Sequence, residues 1–345
     1  MKTLLTILTA SILLFSCSSE PKTDASGSDQ KEQNTQANQK DTIKVLNEQI
    51  KNDPNNPDLY IAKSSVYQKR KQFGEALDEA KRAVKADSTA PRTWVHLSKL
   101  YYDSKRIKES MQTVNNALDL DPDYSDAHIR MAWIYLILQD YEKVYEHANS
   151  ALKTNEFLAE PYYIKGLAYK EQGNFKLAVS SFRTATEQDN DHYDAWIQLG
   201  LLHAKVQHPL TVSYYDNAIR VDSTNYEAHY NKGFYLQNQG KYREAMEEYD
   251  AILRHNESFY NAHFNKGFIY LEHLEKYDSA AMMYTNVINI NPMNYKAYLN
   301  RALAKERDGQ LTAALADVNE ALNLKPDFEL AARAKSRIEE KMEGK

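Results

Sequence analysis

Apolar and small residues along most of this chain recur at three- and four-residue intervals, the spacing that lines one face of a helix, and the helices they predict come in pairs. The segment Ala159 to His192 shows the pattern. Tyr162, Gly166 and Tyr169 fall at i, i+4 and i+7 on a first helix, and Ala178, Phe182 and Ala185 repeat that spacing on a second. Gly166 and Ala178 have little or no side chain, which lets two helix backbones approach while aromatic rings fill the space beside them. A larger residue at Ala178 is expected to overpack, at a cost of about 1–3 kcal/mol. Gly173, Gly240 and Gly309 stand where first helices must stop, and they suit the left-handed cap.

The paired pattern returns at a fixed period, which decides the architecture. An aromatic or His register runs through Tyr60, Trp94, His128, Tyr162, Trp196, His229, His263 and Tyr298, with successive spacings of 34, 34, 34, 34, 33, 34 and 35. Small residues follow four positions later, from Ser64 and Ser98 to Gly267 and Ala302, and a further small-residue register runs through Ala83, Ala117, Ala151, Ala185, Ala218 and Ala321. Pro122, Pro292 and Pro326 close three of the units. The unit around Trp196 is one residue short and carries Pro209 in its turn, so its helix pair is expected to be displaced. The unit around His263 is one residue long, near His273 to Lys276.

These registers resemble the tetratricopeptide repeat, a 34-residue unit of two antiparallel helices, over eight units from Pro57 to Phe328. The resemblance implies an all-α chain: a right-handed superhelical solenoid of about eight hairpins, with first helices lining a concave groove. Asp41 to Asn52 and Glu329 to Met342 read as helices that cover the apolar ends of the stack. In the family the groove-facing places lie just after the aromatic register. Here they give Ile129, Trp133, Tyr163, Leu167, Ile197, Leu201, Tyr230, Phe234, Phe264, Phe268, Leu299 and Leu303, an aromatic stripe through the middle and C-terminal units. About half of these are expected to be buried between first helices, with Trp133, Tyr230, Phe264 and Phe268 left exposed. Asn231, Asn265 and Asn300 stand at equivalent places, and the resemblance offers them as a ladder for an extended peptide backbone; Asn is also common there without a ligand. The Lys and Asn of the carboxylate clamp found in some members are replaced by apolar residues.

The N-terminus reads differently. Lys2 precedes an apolar run from Leu4 to Phe15, too short for a bilayer-spanning helix and suited to a secretory signal. It ends in Leu14-Phe15-Ser16-Cys17, which resembles a bacterial lipobox; the resemblance implies cleavage before Cys17 and lipid on its sulfur. Several acyl chains, at about 0.8 kcal/mol per buried methylene, anchor stably where one does not. Ser18 to Lys40 has no large apolar residue and reads as a tether, spanning roughly 25 Å on average and up to about 75 Å. The domain plan is therefore signal 1–16, lipidated Cys and tether 17–40, N-terminal cap 41–56, repeats 57–328 and C-terminal cap 329–345. Ser18, where enteric retention signals have Asp, favours the outer membrane with the repeats in the periplasm.

Composition narrows the chemistry. The 345 residues carry 43 Lys and Arg against 48 Asp and Glu, intermixed, so no basic face is expected for nucleic acid. One Cys excludes an internal disulfide and a thiolate zinc cluster. A mean hydropathy of −0.69 excludes a polytopic membrane protein. The chain shows no glycine-rich phosphate loop, HExxH or Gly-x-Ser-x-Gly, and His203 and His208 lie beside a proline turn and read as ordinary histidines. No metal, cofactor or catalytic site is expected. The reading is a lipid-anchored scaffold that takes a protein or peptide partner in its concave groove. A ligand-capture outer-membrane lipoprotein for glycan or peptide is the alternative, although such proteins carry large insertions between repeats and this chain has none.

Overall fold

The computed structural model describes residues 42–344; the signal, Cys17 and the tether lie outside them. Eighteen α-helices and no strands follow one another in these residues. Helix α1 covers residues 42–52. Eight hairpins come next: α2 (Pro57–Lys69) with α3 (Phe73–Ala86), α4 (Pro91–Asp103) with α5 (Ile107–Leu120), α6 (Ser125–Ile137) with α7 (Tyr141–Thr154), and α8 (Ala159–Glu171) with α9 (Phe175–Gln188). They continue as α10 (Tyr193–Lys205) with α11 (Thr211–Val221), α12 (Tyr226–Asn238) with α13 (Tyr242–His255), α14 (Tyr260–Glu272) with α15 (Tyr277–Ile290), and α16 (Tyr295–Arg307) with α17 (Leu311–Leu324). Helix α18 (Glu329–Met342) closes the stack.

From α2 onward each helix packs on the next in sequence, the signature of a solenoid in which every unit touches only its neighbours. Inside a hairpin the first helix ends in a Schellman turn. In the first unit the Lys71 N–H donates to Gln68 O and the Gln72 N–H to Tyr67 O, satisfying carbonyls the helix leaves open. The turn residue must be left-handed. Glycine supplies this at Gly173, Gly240 and Gly309, whereas Lys71, Lys105, Gln139, Gln207 and Glu275 adopt φ between 51° and 61° without that freedom. The extra residue of the seventh unit is absorbed in this turn, where the Lys276 N–H reaches back to Tyr270 O. The missing residue and Pro209 act on α11, which has 11 residues where the other second helices have 14.

Volume is matched across each hairpin. A Cβ placed at Gly166 would lie 2.6 Å from the Phe182 ring, at Gly200 2.4 Å from Tyr215, and at Gly233 and Gly267 2.9 Å from Tyr249 and Tyr284. Where the first helix carries Ser98, Ala132 or Ala302, the facing residue shrinks to Val114, Ala148 or Val318, all buried.

The aromatic register has a second duty. Tyr60, Trp94, His128, Tyr162, Trp196 and His263 each donate from the ring's polar tip to a carbonyl six residues upstream, at 2.9–3.2 Å, tying each first helix to the connection before it. Phenylalanine packs as well but cannot donate, and it is absent from the register.

The two end helices differ in how closely they pack. Ala331, Ala334 and Ile338 of α18 bury against α17, and Arg337 and Lys341 both bind the buried Glu306 carboxylate. Leu46 is the buried contact of α1.

Candidate partner-binding groove

Consecutive first helices touch one another along nearly the whole row, whereas second helices do not reach their counterparts to that extent. The first-helix row is therefore the short, inner side of the curve, and its contacts thin between α8 and α10, beside the irregular fifth unit. The groove residues named from the sequence all lie on this row.

Their exposure divides them. Phe234 and Phe268 are open, at 39% and 36% of their full surface. Trp133, Tyr230 and Phe264 are half-buried: Tyr230 lies against Phe234 and Phe259, and the Phe264 ring meets Tyr284 edge-on at 5.4 Å. Trp133, Tyr230 and Phe264 are thus more enclosed than expected, and Tyr163, offered as a groove residue, belongs to the half expected to be buried. It is buried at 8% exposure because Trp133, Phe182 and His192 close over it from three elements. Ile197 and Leu299 are likewise interior.

The asparagines also differ from the ladder expectation. Asn265 Nδ2 donates to the Tyr249 hydroxyl at 3.1 Å, and that hydroxyl donates to Gln237 Oε1 at 3.0 Å. Asn300 sits beside the Tyr284 hydroxyl sixteen residues earlier, near enough to oppose the upward push of burial on it, without completing a well-formed bond. Asn231 stands sixteen residues after Tyr215 in the same relation. Each asparagine thus follows a tyrosine of the preceding second helix, and Asn265 has its amide N–H engaged inside the protein. The sequence signal was present: the three asparagines occur only after the three units whose second helix carries that tyrosine.

Between the third and fifth units the groove wall is polar. Trp133 Nε1 donates to Glu160 Oε1 at 2.9 Å, and His192 Nε2 stands 3.4 Å from Glu160 Oε2. Burial pushes the Glu160 carboxyl up, but the contacts with His192 and Trp133 outweigh it and leave the group below its ordinary value. Arg130 lies over the Tyr102 ring at 5.2 Å; its buried Nε has no acceptor, and desolvation lowers its pKa. Neither Arg130 nor Glu160 was singled out from the sequence.

Among the described residues no cluster of three or more His, Cys, Asp or Glu is placed to hold a metal, and no helix is long and apolar enough to cross a membrane. His203 donates from Nδ1 to Leu199 O inside its helix and meets His208 edge-on. Cys17 lies outside the described residues.

Tetratricopeptide-repeat models match residues 159–192, 214–247 and 268–327, and a model of ChAPs (Chs5p-Arf1p-binding proteins) matches residues 33–134. The first of these matches has the bounds of the unit read from periodicity. No curated relative matches the sequence. Among solved structures, the chain resembles the C-terminal part of a TPR repeat-containing protein from Cytophaga hutchinsonii at 16% identity and TM-score 0.60, covering 70% of this chain and 98% of that one. It also resembles the APC/C hetero-tetramer Cut9–Hcn1 at 15% identity and TM-score 0.51, covering 83% of this chain and 56% of that one. The chain carries tetratricopeptide repeats, and its described part is their solenoid.

Proposed function

Starting from that solenoid, we propose that the protein is a non-catalytic scaffold which holds partner proteins along its first-helix groove, tethered to the bacterial cell envelope by lipid on Cys17. The observation that carries the groove assignment is the pair Phe234 and Phe268: two aromatic rings left open on the inner face, one unit apart, where every second-helix aromatic facing Gly166, Gly200, Gly233 or Gly267 is buried. With little more than a third of each ring still open, burying both against a partner contributes about 1–2 kcal/mol before entropic losses, about tenfold in affinity. An apolar segment of a partner protein fits that surface. The asparagines have a sufficient structural role at Asn265, so the groove aromatics and not a backbone ladder supply the affinity in this reading.

The ligand-capture alternative has no observation in its favour. Connections between repeat helices run from three to five residues, leaving no inserted segment to build a separate site. The anchor rests on the signal-like run and the placement of the single Cys.

Phe234→Ala/Phe268→Ala is expected to cut partner capture about tenfold with an unchanged melting curve. Undiminished capture by the folded double variant refutes the groove assignment. Cys17→Ala is expected to move the protein from the membrane to the soluble fraction, and continued membrane association counts against the anchor.

A further inference from the structure

A cleft lined by cations lies away from the groove, at the N-terminal end, where α1 stands off from α2 and α3 and leaves a space of about 700 Å³. Lys44 and Lys51 line it from α1, Lys63 from α2, and Arg82 and Lys85 from α3. Glu48 is the one carboxylate on its wall, and it binds Lys51 at 2.8 Å. Beneath, the buried Glu79 is shared by Lys63 at 2.8 Å and Arg82 at 3.2 Å. Five cations set against two carboxylates leave an excess of three positive charges in a chain whose net charge is −5.

Several helix cations of the later units have carboxylate partners. Lys232 binds Asp216 and Glu248, Lys266 binds Asp250, and Arg301 and Lys305 share Asp317. Lys44 and Lys85 are exposed and make no ion pair with a described residue. Like charges crowded on three helices repel one another, which lowers stability unless an anion occupies the space between them.

We propose that this cleft is an anion site whose ligand is a phosphate group. Cations that line one cleft from three helices match the several acceptor oxygens and multiple charge of phosphate better than they match a single carboxylate. The group comes either from an anionic phospholipid headgroup or from a soluble phosphate. The proposal does not rest on the groove reading or on acylation of Cys17.

The full chain carrying Cys17→Ala is titrated with inorganic phosphate, with phosphatidylglycerol vesicles and with phosphatidylcholine vesicles, at low and high salt. Lys44→Glu/Lys85→Glu is compared with Lys153→Glu/Lys176→Glu, which makes the same charge change at exposed positions remote from the cleft. Binding of phosphate or of phosphatidylglycerol above phosphatidylcholine, weakened at least tenfold by the first pair and unaffected by the second, supports the site. Vesicle binding assigns it to a headgroup, and phosphate binding alone assigns it to a soluble ligand. Binding of neither, or equal loss in both pairs, overturns it. If the charge reversal disturbs the melting curve, Lys44→Gln/Lys85→Gln replaces it under the same criteria.

Discussion

Gly200 faces the Tyr215 ring so closely that even one methyl group has no place, and a Cβ there would sit 2.4 Å away. Gly200→Ala is therefore expected to destabilise the fold by about 1–3 kcal/mol, and Gly200→Ala/Tyr215→Leu to recover part of that loss. Additive losses in denaturant unfolding would show that the two do not share the space. Gln139 carries the opposite strain. It holds φ +58° in a turn where Gly173 serves one unit later, so Gln139→Gly is expected to raise the unfolding midpoint by the equivalent of about 1 kcal/mol. A fall in the midpoint would contradict the left-handed assignment. At this scale the cap glycines and the close helix approach at Gly166 were legible, whereas which ring fills each glycine's place and the tip hydrogen bonds were not, because both need contacts between residues separated in the chain.

At the scale of helices, Tyr249 is the informative contact. Its hydroxyl sits in the interior, where burial pushes the pKa far above the ordinary phenol value, and it depends on Asn265 and Gln237 for its hydrogen bonds. Asn265→Ala is expected to cost about 1–3 kcal/mol while leaving partner capture intact; lost capture at unchanged stability would restore the peptide-ladder reading. Helix α7 adds a pH response. Burial lowers the His147 pKa from 6.5 to about 4, helped by neighbouring His128, and burial lowers His96 similarly. An unfolded chain takes up protons at these rings between pH 6.5 and 4 that the folded chain refuses. Stability is then full above about pH 6.5 and falls as pH drops through that window. His147→Gln is expected to flatten the slope of the urea midpoint between pH 7 and pH 5, and an unchanged slope would argue that this ring is not the group responsible. Helix pairing was legible from the 34-residue registers, and so were the two irregular units. The burial of Tyr163 was not, since its place in the register matches that of Tyr230 and both have a ring behind them; what separates them is the further cover that Trp133 and His192 give Tyr163.

Across the whole molecule, eight hairpins flanked by two end helices form a stack whose inner row of first helices carries the open rings of Phe234 and Phe268. The period marked a repeat, and the resemblance to the tetratricopeptide unit implied this architecture, in which each hairpin leaves an apolar face that only the next can cover. Partner identity is not written in such a repeat, since the residues that build the stack recur while the few that meet a guest do not. The most direct test places a photo-crosslinking amino acid in cells at Phe234 or Phe268 on the inner row, and at the exposed Glu247 of α13 as the outer control. The account predicts a discrete protein adduct from the two inner positions that Glu247 does not give. Adducts from Glu247 alone, or equal labelling at all three, would contradict it.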